Sequence, residues 1–240
     1  FGIIFVPRIV GELKRTKSAT LEDLKFLKAN TNRHIKITVP GPFTMAQQAQ
    51  NEFYVTPREA AIAYARVVNE EIKDLFKAGA DVVQLDEPYM QARPEAAREF
   101  GVEALNLALD GVGGKTCVHI CFGYAALIHE RPEGYSFLPE FAETCCDQVS
   151  IETAQSDLDC SILKSLKSKD ILLGVIDLSN SEIESVEVIK QRVKKALKFV
   201  DPQNIILAPD CGMKYLSRKS SFGKLKNMVQ AATELRKEFE

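Results

Sequence analysis

Strand-like and helix-like segments alternate along almost the whole chain, and this alternation constrains the fold more than any other feature. Strand-like runs cover residues 3–10, 34–39, 81–85, 116–121, 148–151, 171–176 and 204–207. Helical patterns lie between them, at 57–79, 94–111, 184–200 and 219–239, with shorter ones at 21–28, 138–145 and 158–166. The segment 57–79 carries its own punctuation, with Thr56 as a cap, Pro57 at the first helical position and Gly79 at the stop. Several strand-like runs are nearly all apolar, as parallel strands covered on both faces should be. Repeated β-then-α units specify an α/β chain with a parallel sheet.

Two architectures hold such a sheet, and the polar residues separate them. Pro40-Gly41-Pro42, Asp86-Glu87-Pro88, His119 with Cys121, Glu152, Asp177 and Asp210-Cys211-Gly212 all fall just after successive strand-like runs. Barrel enzymes build their sites from the loops at that end of the strands. A glycine-rich dinucleotide fingerprint after an early strand is absent, so an open Rossmann sheet has no support. The expectation is a (β/α)8 barrel lacking its first βα unit, with residues 1–240 as a single catalytic domain. The missing strand and helix are expected upstream of Phe1, since the chain starts inside a strand-like run.

Composition narrows the partners. The chain has 240 residues and a formal net charge of −2, and no basic cluster suggests nucleic acid. No apolar run approaches the roughly 20 residues needed to cross a bilayer, and the first residues lack the build of a signal peptide. Six cysteines in a chain of this length do not make a disulfide scaffold. Cys117, Cys145, Cys146 and Cys160 lie in or beside apolar segments and read as reduced core thiols, which points to the cytoplasm.

His119, Cys121, Glu152 and Cys211 carry the chemistry. His119 and Cys121 are two apart on one predicted strand, so imidazole and thiol share a face. Glu152 ends the next strand and Cys211 follows a later one, so side chains from separate elements can converge at strand ends. Imidazole, thiolate and carboxylate together suit zinc, a borderline-soft ion with four ligands. No CxxC clamp of a structural zinc finger is present. Cys117, two before His119, is a competing ligand on the same face.

These residues resemble the catalytic domain of the cobalamin-independent methionine synthase family. The likeness is carried by His119-Ile120-Cys121, Ile151-Glu152-Thr153 and Pro209-Asp210-Cys211-Gly212-Met213-Lys214, with Asp86-Glu87-Pro88 after Val83-Gln84-Leu85. It runs in order from Pro7-Arg8-Ile9-Val10-Gly11 to about Lys226. It implies a barrel with a catalytic zinc on His119, Cys121, Glu152 and Cys211, and transfer of a methyl group to a thiol. It further implies that Asp86 holds the amino group of a homocysteine-like substrate, and that Pro40-Gly41-Pro42-Phe43-Thr44 lines the side of a folate donor; Glu87, next to Asp86, is a second candidate for substrate contact. Where the family carries an aromatic residue just beyond its Gly-Pro motif, this chain reads Met45-Ala46-Gln47-Gln48. Relatives of the same barrel activate other thiols with zinc, including coenzyme M, and a non-catalytic zinc-binding barrel is the reading from a different class.

If the donor is an N-methyl tertiary amine such as methyl-folate, its nitrogen must be protonated to leave. Asp177, at a strand end, and His129, in a loop, are the candidate general acids, with Asp177 preferred. The stretch 122–137 is longer than a usual βα loop and reads as a cover over the zinc.

Overall fold

Residues 5–123, 134–166 and 168–239 are described in the computed structural model. They fall into two compact units, residues 1–119 with 143–147 and residues 120–142 with 148–240, the division cutting one strand.

The first unit contains, in chain order, β1 (Arg8–Ile9), α1 (Leu21–Asn30), β2 (Lys36–Pro40), α2 (Pro42–Gln48), β3 (Gln50–Asn51), α3 (Pro57–Lys77) and β4 (Val82–Asp86). After these come α4 (Pro88–Ala92), α5 (Pro94–Ala96), α6 (Val102–Ala108) and most of β5 (Lys115–Ile120). α3 begins where the sequence predicts: the Thr56 hydroxyl accepts from Glu59 N at 3.1 Å and Pro57 follows. Its buried Ala61, Tyr64, Ala65, Val68, Ile72 and Leu75 recur every three or four residues and form its packed face. Gly79, at φ 93°, turns the chain out of the helix in a conformation that other residues rarely adopt.

In the second unit β6 (Gln148–Ile151), β7 (Asp170–Ile176) and β8 (Ile205–Pro209) are followed by 3₁₀ turns or by α7 (Val186–Ala196) and α8 (Arg218–Phe239). Ser185 caps α7 by accepting from Val188 N at 3.3 Å. Gly174 in β7 is required by space, because a Cβ there would lie 2.3 Å from Asp210 Oδ1 and 2.6 Å from Ile151 O.

The strand order is β2-β4-β5-β6-β7-β8. β2 with β4, β4 with β5, β6 with β7 and β7 with β8 all pair in parallel. This is the predicted α/β architecture of the (β/α)8-barrel type. Pro40, Asp86 and His119 stand in one register row of β2, β4 and β5, with Thr38, Gln84 and Cys117 in the row before it.

Several local expectations are corrected. The run 3–10 is not a strand of this sheet. Among its described residues Arg8–Ile9 pairs with Gln50–Asn51 and Ile9 is buried, while Phe5, Val6 and Val10 are exposed. β2 and β4 are not apolar on both faces: Ile37, Val39, Val83 and Leu85 are buried, whereas Lys36, Thr38, Gln84 and Asp86 face the other way and stay at least partly accessible. The helix predicted over 94–111 is interrupted by a π turn at Ala97–Gly101. The segments 138–145 and 158–166 form 3₁₀ turns, Leu138–Glu143 and Cys160–Leu166, rather than α-helices. No helix among the described residues is long and apolar enough to cross a membrane.

None of the six cysteines forms a disulfide, and Cys117, Cys146 and Cys160 are buried as expected. Cys145 is the exception. Its side chain is exposed, because Asn106 Oδ1 takes its backbone N–H at 2.9 Å while neighbouring Cys146 turns into the core.

Candidate active site

β5 presents His119, and the chain runs directly on to Cys121 on the same face. Cys211 enters from the turn after β8. One ligand atom from each of His119, Cys121 and Cys211 lies within 4.8 Å of the other two. His119 and Cys121 are buried and Cys211 is partly accessible. The Cys121 thiol is held well above its usual pKa, by its hydrogen bond with Cys211 and then by burial. A nitrogen and two sulfurs brought together from separate strands form a donor set that fits a borderline-soft divalent metal. Cys117, the competing ligand, is outside this group; its sulfur lies 3.5 Å from Gln84 Oε1.

Glu152 sits at the end of β6, fully buried. Its Oε1 accepts from Phe122 N at 3.3 Å, and its charge acts on Cys121, raising the thiol pKa. It is beside the His-Cys-Cys group without falling within the same 4.8 Å cluster. Tyr135 holds this corner together. Its hydroxyl donates to Ile120 O at 3.1 Å and accepts from Glu152 N at 2.8 Å, and its ring stacks on Phe122 at 4.4 Å. Burial, then the Glu152 charge, pushes the Tyr135 phenol well above its ordinary range.

Asp210, next to Cys211, is a clamp. Its Oδ1 accepts from Thr153 N at 3.2 Å and Ala154 N at 3.1 Å, and its Oδ2 from Gln155 N at 2.8 Å. The loop that leaves Glu152 is thereby tied to the turn that carries Cys211. Burial raises the Asp210 carboxyl to about 6 despite those three amides.

On β4, Asp86 accepts from Gln84 Nε2 at 2.9 Å through Oδ1, and is in register with His119. Glu87 faces elsewhere. Fully buried, it accepts from Phe43 N at 3.0 Å and Thr44 N at 2.8 Å, the first amides of α2. Burial lifts its carboxyl to about 7, against the pull of Thr44 and Phe43. The Gly-Pro and Asp-Glu-Pro motifs are therefore two halves of one local structure, a helix N-terminus and the carboxylate seated on it.

Asp177, after β7, accepts from Ser179 N at 2.7 Å and Asn180 Nδ2 at 3.3 Å, so its carboxylate shapes its own turn. Lys224, fully buried, donates to Asp177 O and to Glu184 Oε2, both at 2.9 Å. His129 and the 124–133 part of the predicted cover lie outside the described residues.

Sequence reasoning missed Tyr135, Asp210 as a clamp, and Gln84. Asp210 had a signal in its place within Pro209-Asp210-Cys211-Gly212, and Gln84 had one as a polar residue interrupting an apolar strand. Tyr135 had none.

Residues 3–234 match the family model described as the cobalamin-independent synthase catalytic domain. The chain belongs to this family. It is 36% identical over 234 residues to a methionine synthase of Pyrococcus furiosus, and 33% identical over 236 residues to one of Sulfolobus acidocaldarius. Those alignments cover 96% and 97% of this chain, and the chain spans 66% of the length of each of these curated relatives. Among solved structures, a B12-independent methionine synthase from Shewanella sp. W3-18-1 in complex with selenomethionine superposes with a TM-score of 0.92 at 32% identity. That match covers 98% of this chain and 71% of the Shewanella chain. A putative vitamin-B12-independent methionine synthase from Listeria monocytogenes shares the fold, with a TM-score of 0.73 at 21% identity over 95% of this chain and 73% of its own.

Proposed function

We propose that this chain is the catalytic domain of a zinc-dependent methyltransferase that moves a methyl group to the thiol of homocysteine or a similar small thiol. The observation that carries the reading is the convergence of His119, Cys121 and Cys211 within 4.8 Å. Those three residues would hold zinc, with Glu152 as the fourth ligand; as the hardest donor of the four it would be the most readily released. Bound zinc supplies the chemistry of a thiol kept as thiolate at neutral pH, where a free thiol is mostly protonated.

The remaining work falls to the protein. Cys121, Cys211 and Glu152, as two thiolates and a carboxylate, would outweigh the charge of a divalent ion, so the loaded site would be net negative and favour an electron-rich sulfur. Asp86, at the end of β4 and in register with His119, receives the substrate ammonium group. Glu87 supports that position from beneath by holding the start of α2. Asp177 is the proton donor to the leaving nitrogen when the methyl donor is a tertiary amine such as methyl-tetrahydrofolate. The selenomethionine bound to the Shewanella relative supports an amino-acid pocket of this kind. A thiol-rich, disulfide-free chain is in keeping with a cytoplasmic enzyme.

Zinc-edge X-ray absorption on zinc-loaded protein tests the reading. Adding homocysteine should introduce one further sulfur at about 2.3 Å, and methyl transfer from methyl-tetrahydrofolate should require the metal. An unchanged coordination shell, or full activity in zinc-free protein, would overturn it.

A further inference from the structure

Behind Asp86 lies a line of polar side chains that the chemistry above does not use. Lys36 on β2 donates through Nζ to Gln84 Oε1 at 2.9 Å, and Gln84 Nε2 donates to Asp86 Oδ1 at 2.9 Å. An ammonium has donors and no acceptor, so it must face the amide oxygen of Gln84. The amide nitrogen is then forced toward Asp86. Cys117 Sγ lies 3.5 Å from the same oxygen and acts in the same sense as a weak donor. With both ends determined, the Gln84 amide cannot flip without setting donor against donor and acceptor against acceptor.

Lys36 is not a surface lysine that happens to reach inward. Burial lowers its pKa, against the opposing effects of Cys117 and Asp86. Placing an ammonium here has an energetic cost, and its nearest strong acceptor is an uncharged amide rather than a carboxylate. Packing alone would be served better by an apolar residue. What the lysine adds is direction, because it sets the sense of a chain of hydrogen bonds ending on one oxygen of Asp86. A carboxylate fixed in this way loses less freedom when a cation arrives, so more of the interaction appears as affinity.

We propose that Lys36 and Gln84 are positioning residues which, through the hydrogen-bond relay Lys36–Gln84–Asp86, orient the Asp86 carboxylate to receive the ammonium group of an amino-acid thiol. The inference rests on the reading of Asp86 as the ammonium partner. It predicts that the relay tunes recognition of the amino group and leaves sulfur–metal binding alone.

The test compares homocysteine with 4-mercaptobutyrate, the same molecule without its amino group, by calorimetric titration of zinc-loaded protein. Wild-type protein should bind homocysteine more tightly. Gln84→Met and Lys36→Met should each weaken homocysteine binding by about ten- to a hundredfold, the range of one lost charge-assisted hydrogen bond. Binding of 4-mercaptobutyrate should stay within about twofold, and Lys36→Arg should restore most of the preference. Should one methionine variant not fold, the other gives the same comparison. Equal loss for both thiols, or an undiminished preference in the variants, overturns the relay while leaving the Asp86 reading intact. Equal affinity of the two thiols for wild-type protein overturns the Asp86 reading, and the relay with it.

Discussion

Gly41 leaves the space that the Glu87 side chain fills: a Cβ at position 41 would lie 2.2 Å from both the carboxyl carbon and Oε1 of Glu87. The φ of Gly41 is −76°, open to any residue, so the requirement is steric and not conformational. Glu87 is fully buried and bound to Phe43 N and Thr44 N, so it cannot swing away without abandoning two amides at the start of α2. Gly41→Ala should therefore cost roughly 2–4 kcal/mol. In a domain of this size that is a fall in Tm of about 5–15 °C, read by calorimetry. An unchanged Tm would show that the carboxylate can be rehoused.

Asp210 should tune the affinity of the proposed metal site without itself being a ligand. Its carboxylate gathers three successive amides, Thr153, Ala154 and Gln155, immediately after Glu152, while its own neighbour is Cys211. Asp210→Asn turns an N–H₂ group toward at least one of those amides, and the loop behind Glu152 loosens. Outer partners of this kind are worth about 10- to 100-fold in metal affinity. Competition with a chromophoric chelator should register a loss of that order. Affinity equal to wild type would mean that Glu152 and Cys211 are placed independently of the clamp.

Much of this was legible in the sequence, for reasons that differ between fold and site. Strand positions were clear because Ile37, Val39, Val83 and Leu85 are buried by packing, which periodicity reports directly. The cluster of His119, Cys121 and Cys211 was legible in part because His119 and Cys121 are two apart on a strand, a spacing that dictates a shared face. α2 was hidden because Pro40-Gly41-Pro42 is turn chemistry on its face, and only Glu87, distant in sequence, explains why a helix starts there. The expected strand over 3–10 shortens to Arg8–Ile9 among the described residues, because apolar composition records what could be buried and not which backbone edge is there to pair with. Tyr135 depended on hydrogen bonds to Ile120 and Glu152, distant in sequence, to which local pattern is blind.

Tyr135 offers a clean separation of ring from hydroxyl. The phenol bridges Ile120 O and Glu152 N, joining the ends of β5 and β6, while the ring rests on Phe122. Tyr135→Phe keeps the stacking and leaves both buried backbone groups without that partner, at a cost of about 1–3 kcal/mol. Urea unfolding should show the midpoint lowered with its slope unchanged. A midpoint equal to wild type would assign the whole contribution to the ring.

The carboxylate of Glu71 should make part of the stability pH-dependent. Its Oε1 accepts from Ser18 Oγ at 2.7 Å, Ala19 N at 3.0 Å, Thr20 N at 2.9 Å and Thr20 Oγ1 at 3.0 Å, and Oε2 meets Arg15 Nε at 2.9 Å. Burial pushes its pKa up, but the hydrogen bonds from Ser18, Thr20 and Arg15 together outweigh burial and hold it below the usual 4.5. A carboxyl whose pKa is depressed in the folded state binds its proton more readily when unfolded. Its stabilisation is therefore complete above about pH 4.5 and disappears as pH falls through the lower folded value. Glu71→Gln, which keeps the shape but turns an N–H₂ group toward Arg15 or the amides, should cost roughly 2–4 kcal/mol at pH 7. The gap between wild type and variant in urea unfolding should narrow as the pH is lowered below about 4.5. A gap that stays constant across that range would show that the charge of Glu71, as distinct from its hydrogen-bonding shape, contributes nothing to holding the start of α1.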